Sequence, residues 1–231
     1  MCRRALLVLT FLAGLFVPQV TTASEGWQVP LEAANWRTLK IPGARENQFV
    51  LRGDTLQVIS DRSVSFRYME LPRSVVAPAE LSWRWRVDRH TPLASQVQKG
   101  QDDRPLAIHV WFDTEGRASL FGNLASLAGR PKVGHLLTYV WGATEPAGSV
   151  LANPYYDKGR VIVVVGAEGR TGQWLEVRRD IVEDYRRAFG TAPDMAALRY
   201  IAISADTDDL AGNSSALVRA LAFHLPGSQK R

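Results

Sequence analysis

LSWRWRVD (Leu81–Asp88) carries the clearest alternation in the sequence. Leu81, Trp83, Trp85 and Val87 alternate strictly with Ser82, Arg84, Arg86 and Asp88. Period two puts each set on its own face of an extended chain, so a half-buried strand is predicted, with both tryptophans turned to a core. Upstream, Gln48–Leu51 and Leu56–Ser60 flank Gly53-Asp54, a dipeptide suited to a hairpin turn, and Ser63–Leu71 alternates again. Downstream, AIHVWF (Ala107–Phe112), LLTYVW (Leu136–Trp141), Arg160–Val165, Tyr200–Ser204 and Leu217–Leu225 are further apolar runs bounded by turn residues. About ten short strands with few helices predict an all-β protein, a jelly-roll-like β-sandwich.

One helix interrupts the pattern, over Ile181–Phe189. Asp180 is its expected N-cap, with Glu183 placed to complete a capping box. Ile181, Val182, Tyr185 and Phe189 form the apolar stripe, and Gly190 supplies the C-terminal stop. Gly166, Gly169 and Gly172 follow an apolar strand, the setting in which a dinucleotide-binding loop occurs. No parallel βαβ series surrounds them, so a glycine-rich turn leading into another strand from Trp174 is expected; a continuous helix from Trp174 also fits the spacing. Arg117–Arg130 fits either a small helix or a loop.

The first 23 residues have the layout of a secretory signal peptide. Arg3 and Arg4 precede the uncharged run Ala5–Val17, and Thr21-Thr22-Ala23 offers small residues at a cleavage site. A spanning helix needs roughly 20 apolar residues, more than this run supplies. Cys2, the only cysteine, lies before the run, where a lipoprotein would have it after. The expected mature protein is therefore one β-sandwich domain over residues 24–231, periplasmic in a Gram-negative cell or otherwise secreted, with no further membrane span. Loss of Arg3 and Arg4 takes the 28 basic residues to 26 against 23 acidic ones, a net charge of +3. That mild, scattered excess argues against nucleic acid as a partner. Without cysteine the mature chain has neither a disulfide framework nor a thiol nucleophile.

Carboxylates are the residues that concentrate. KGQDDRP (Lys99–Pro105) sets Asp102 and Asp103 just before the strand AIHVWF, which Asp113 closes. Paired carboxylates at a strand mouth bind a metal, bind sugar hydroxyls, or act as acid and base; the plainer alternative is a solvated loop with one Asp paired to an Arg. ADTDD (Ala205–Asp209) gathers Asp206, Asp208 and Asp209, with Asn213 beyond. Loop carboxylates suit Ca²⁺, which takes six to eight oxygens, so Asp206, Asp208 and Asp209 are the candidate metal ligands. The loop lacks the glycine and distal glutamate of an EF-hand, and a turn held by Asx hydrogen bonds is the alternative. His90, His109, His135 and His224 form no metal-binding pair, and no Gly-x-Ser-x-Gly elbow occurs. Of the seven tryptophans, Trp83, Trp85 and Trp111 fall on strands, where an aromatic face can stack on a sugar ring or fill the core. The alternation favours core for Trp83 and Trp85.

Three stretches together resemble the domain-of-unknown-function family 3047 of bacterial exported proteins. They are LSWRWRV with Lys99 and Asp102-Asp103; LLTYVWG (Leu136–Gly142); and RRDIVEDYRRAFG followed by IAISADTDD and the closing ALAFHL. The resemblance covers most of residues 35–225 and implies a single jelly-roll-like sandwich of the cell envelope, similar in architecture to galactose-binding and carbohydrate-binding modules. It implies no established activity. Where the family loop continues with Asn and Thr, this chain has Asp209 and Leu210.

The leading expectation is a non-enzymatic binding module for a glycan or another polar envelope ligand. Asp102, Asp103, Asp206 and Asp208 would supply oxygens and Lys99 a charge partner. Ca²⁺ is the one cofactor the carboxylates suggest. A carboxylate-dependent enzyme acting on a glycan, and an envelope assembly or scaffold protein, stand as the alternatives.

Overall fold

Each alternating run becomes a strand with its apolar set turned inward. The computed structural model describes residues 26–75, 77–114, 131 and 133–225. The expected signal peptide and the Arg117–Arg130 segment lie outside them. One sheet is built from β1 (Gly26–Gln28), β3 (Gln48–Arg52), β4 (Thr55–Asp61), β6 (Glu80–Arg89), β11 (Leu175–Asp180) and β13 (Asn213–His224). Its order is β11-β6-β13-β4-β3, with β1 on the far end of β13. The other sheet takes β2 (Arg37–Lys40), β5 (Val64–Glu70), β7 (Arg104–Phe112), β8 (Leu136–Trp141), β9 (Val150–Ala152), β10 (Gly159–Val165) and β12 (Leu198–Asp206), in the order β2-β5-β12-β7-β8-β10-β9. All these pairings are antiparallel except β8 with β10. The chain is an all-β sandwich, as its alternation predicts.

Trp83 and Trp85 are fully buried between the sheets, edge to face at 5.2 Å, and Trp83 meets Tyr139 from the other sheet at 5.4 Å. Leu106, Ile108, Val110 and Phe112 of β7 join them with Ile201, Ile203 and Ala205 of β12. The predicted hairpin joins β3 to β4 through Gly53-Asp54; Gly53 has φ 62°, which a II′-type turn asks of its first central residue. α1 (Ile181–Phe189) begins where expected, with Asp180 Oδ1 accepting from Glu183 N at 2.9 Å, and stops at left-handed Gly190. Ile181 and Tyr185 face inward, joined by Asp184, which is buried against Arg179. The glycine series is a turn, and Leu175–Asp180 is strand up to the helix cap, so the continuous helix from Trp174 is not formed.

The sheets differ in what their outer faces do. β7 and β8 are buried at every position, not at every second one. Leu39, Phe66, Tyr68, Trp111, Leu136, Tyr156, Tyr200 and Ala202 make a second apolar cluster on the outer face of the seven-stranded sheet. Strands covered on both faces lose the polar half of the alternation. This covered face holds the site.

Candidate functional site

A cavity of about 540 Å³ opens on that outer face. Its floor is apolar and aromatic, with Phe66, Trp111, Leu136 and Tyr156; its wall is acidic, with Asp102, Asp206, Asp208 and Asp209 around Arg104. The side chains on the floor follow from parity. His109 and Trp111 of β7, Thr138 and Leu136 of β8, and Ser204 and Asp206 of β12 occupy alternate positions facing away from the inter-sheet core.

Arg104 requires a further step. Counting by twos from His109 would aim residue 104 into the core. The register between β7 and β12 shifts between Ser204↔Ala107 and Asp206↔Arg104, so two residues of β7 stand opposite one of β12. A bulge of this kind re-aims the side chain beyond it. Arg104 thereby turns outward and is still buried, 7 % exposed. Its Nη1 donates to Asp102 Oδ2 at 2.9 Å and to the Asp102 carbonyl at 3.0 Å, and Nη2 lies 3.3 Å from Asp206 Oδ2. The two carboxylates hold the guanidinium in its charged form against the cost of burial.

The two predicted acidic loops meet here. Asp103 Oδ1 and Oδ2 accept from the backbone N–H of Asp209 and Leu210, each at 3.2 Å, which staples one loop to the other. Burial pushes the Asp103 carboxyl up, those two N–H groups pull it down, and Asp209 and Asp208 add to the rise. Gln96, fully buried, donates its amide to the carbonyls of Asp102 and Asp103 and fixes the loop from beneath. Under the second loop, Asn47 donates to the carbonyls of Ser65 and Ala205, and Ser60 meets Thr207 hydroxyl to hydroxyl at 2.7 Å. This buried polar frame leaves little freedom to Asp206.

Oxygens of Asp103, Asp206 and Asp208 all lie within 4.8 Å of one another. That set departs from the expected metal ligands Asp206, Asp208 and Asp209. Asp209 accepts the Tyr155 hydroxyl at 3.2 Å, and its own N–H donates to Asp103. Asp206 is pushed well above the ordinary carboxylate range by burial, with Arg104 opposing and the adjacent Asp208 carboxylate adding to the rise. Lys99 is exposed, with its ammonium 5.2 Å from the centre of the Tyr155 ring. Among the described residues it makes no salt bridge to the aspartates. Asn213 begins β13, and Asp113 follows the end of β7 remote from Asp102-Asp103; both are exposed.

His109 is the buried group that the sequence left unassigned. Its Nδ1 pairs with Thr138 Oγ1 at 3.0 Å and its Nε2 with Ser204 Oγ at 2.8 Å. Burial, and secondarily the charge of Arg104, hold it far below the usual imidazole value, so it is neutral. With Phe66 5.1 Å away it continues the aromatic floor. Arg104, Phe66, Tyr155 and Tyr156 were not legible as site residues either. The one available signal was the position of Arg104 directly after Asp102-Asp103 and before an apolar strand.

Residues 34–222 match the profile of the family described as Protein of unknown function (DUF3047). No curated protein matches the chain. Solved structures similar at low identity include the three that follow. The Family 11 Carbohydrate-Binding Module from Clostridium thermocellum, in complex with a beta-1,3-1,4-mixed-linked tetrasaccharide, is 10 % identical with a TM-score of 0.47, over 88 % of this chain and 98 % of that one. The Family 12 xyloglucanase from Bacillus licheniformis is 7 % identical with a TM-score of 0.48, over 88 % and 97 %. The xyloglucanase domain of NopAA from Sinorhizobium fredii, in complex with cellobiose, is 12 % identical with a TM-score of 0.46, over 81 % and 92 %. At such values the chemistry of the site rests on its own residues.

Proposed function

We propose that this chain, which belongs to the DUF3047 family, is an exported binding protein that holds a glycan in the cavity on the outer face of its seven-stranded sheet. One observation carries the reading: a single cavity joins an aromatic floor to a carboxylate wall. A pyranose has an apolar ring face and a girdle of hydroxyls. Phe66 and Trp111 offer area for the first, and Asp102, Asp206 and Asp208 offer acceptors for the second. The volume, about 540 Å³, falls in the range of small-ligand sites. The frame beneath the wall supports binding too, since oxygens fixed before the ligand arrives need less ordering on association.

A hydrolase would need two carboxyls flanking a glycosidic bond, roughly 5–9 Å apart. Asp206 and Asp208, which both line the cavity, bring oxygens within 4.8 Å of each other, closer than that separation and suited to holding a ligand. Export rests on the basic, apolar and small-residue layout of residues 1–23. Mass spectrometry of the protein recovered from its source cell tests it, with Ser24 the expected first residue and an intact N-terminus the contrary result.

The binding test is an array of envelope and plant-wall oligosaccharides, with hits titrated calorimetrically against Asp208→Ala and Tyr155→Ala. Both residues are exposed and line the cavity, so neither substitution threatens the fold. Loss of about 1 kcal/mol or more in each variant is expected, as for hydrogen bonds and ring contacts at a ligand. A hit whose affinity ignores both changes would remove the cavity from the account.

A further inference from the structure

The acidic wall holds more negative charge than its neighbours balance. Asp102, Asp103, Asp206, Asp208 and Asp209 bring five carboxylates together, and Arg104 is the only cation that salt-bridges any of them among the described residues. Backbone N–H groups answer Asp103, and the Tyr155 hydroxyl answers Asp209. Of the buried oxygens two are left: Oδ1 of Asp102 and Oδ1 of Asp206 have no hydrogen-bond partner in the protein. Those residues are only 3 % and 8 % exposed, and both line the cavity. A buried carboxylate oxygen without a donor is among the costliest arrangements a fold can hold. Its remedy is a proton or a cation.

The spacing points to a cation. Two oxygens on one Ca²⁺ lie at most about 5 Å apart, twice its bond length of roughly 2.3–2.6 Å. The oxygens of Asp103, Asp206 and Asp208 meet that limit, all falling within 4.8 Å. The donors are all carboxylate oxygen, with no imidazole or thiolate in the set, which selects a hard ion. Asp103 and Asp208 come from loops and Asp206 from the last position of β12, a mixed origin that suits the loose geometry of Ca²⁺ better than the octahedron of Mg²⁺.

We propose that a calcium ion binds between the carboxylates of Asp103, Asp206 and Asp208 and ties the loop before β7 to the loop after β12. Asp206 and Asp208 line the cavity, so the ion stands in its wall and takes further oxygen ligands from that side. Within the glycan reading, on which this second part rests, vicinal hydroxyls of the saccharide fill those positions.

The experiment is calorimetric titration of Ca²⁺ into the full-length protein as purified, stripped with EDTA and dialysed, with Tb³⁺ luminescence as an independent probe. One ion per chain is expected. At a hundred times its Kd it raises Tm by about 5–10 °C. Asp208→Asn, an exposed change that spares the fold, weakens binding at least about tenfold, and Asp206→Asn does the same wherever it folds. No heat, no Tb³⁺ signal and equal Tm in EDTA and Ca²⁺ would overturn the site, as would undiminished affinity in Asp208→Asn. Because Ca²⁺ is titrated without saccharide, the site can stand even if no glycan binds, and that result would count against the glycan reading alone. Equal saccharide affinity in EDTA and in Ca²⁺ would reject the shared shell.

Discussion

Replacing Arg104 by Met probes the arrangement most sharply. Met fills similar space without charge, so the change removes one cation from between two buried carboxylates. Arg104 donates to Asp102 at 2.9 Å and lies 3.3 Å from Asp206, with its side chain 8 % exposed. Taking one partner from a buried ion pair costs about 3–5 kcal/mol, because the other charge stays buried. In a domain of this size each kcal/mol moves Tm by about 2–4 °C, so a fall of roughly 6–20 °C is expected. The pH dependence separates this cause from lost packing. Burial already raises Asp206, and Arg104 is its largest opposing influence, so Arg104→Met raises it further. An acid whose folded pKa lies above its unfolded value, about 3.9, costs the fold stability as pH rises through that interval and nothing below it. The deficit should be largest at pH 7 and shrink toward pH 4. Urea unfolding in EDTA, followed by tryptophan fluorescence at pH 7, 5.5 and 4.5, reads it directly. A loss under about 1 kcal/mol at pH 7, or one that does not change with pH, would mean that Arg104 does not hold a buried charge in place.

Trp85→Ala should cost about 3–5 kcal/mol in the urea midpoint, since the side chain is fully buried against Trp83; a smaller loss would mean that the inter-sheet core is looser than described. Asp180→Ala should cost about 1 kcal/mol by removing the cap on Glu183 N, and an unchanged Tm would deny the cap a role. His109 should stay neutral in an NMR titration at a pH where an exposed imidazole is mostly charged. Its folded pKa lies below the unfolded value of about 6.5, so it costs stability as pH falls through that value, and His109→Gln should lose less stability on acidification than the natural protein. A His109 midpoint near 6.5 would contradict its burial between Thr138 and Ser204.

Local rules made the sandwich legible. Alternation in Leu81–Asp88 placed Trp83 and Trp85 in the core, and Asp180 and Gly190 bounded the helix. The edge strands β1, β2 and β9 are three or four residues long and show no period to detect. The site was legible only as a list of acids. Asp102, Asp103, Asp206 and Asp208 do converge, but the partner that organises them, Arg104, faces the cavity only because of a bulge between β7 and β12. Pairing across about a hundred residues sets that bulge, and no local pattern encodes it. The place of Asp103 beside Asp206 and Asp208 is likewise a contact between distant loops, which the N–H groups of Asp209 and Leu210 hold. Trp111 shares strand character with Trp83 and Trp85 yet lies on the opposite face of its sheet, a distinction that needs the sheet itself.

The most direct test of the cavity as a glycan site is two-dimensional NMR of the protein titrated with a saccharide that scores on the array, in the presence of Ca²⁺. A glycan in the cavity should shift Phe66, His109, Trp111, Tyr155, Tyr156 and Asp208 and leave the core around Trp83 undisturbed. Shifts gathered instead on the outer face of the other sheet, around Trp174 and Arg219, would contradict it.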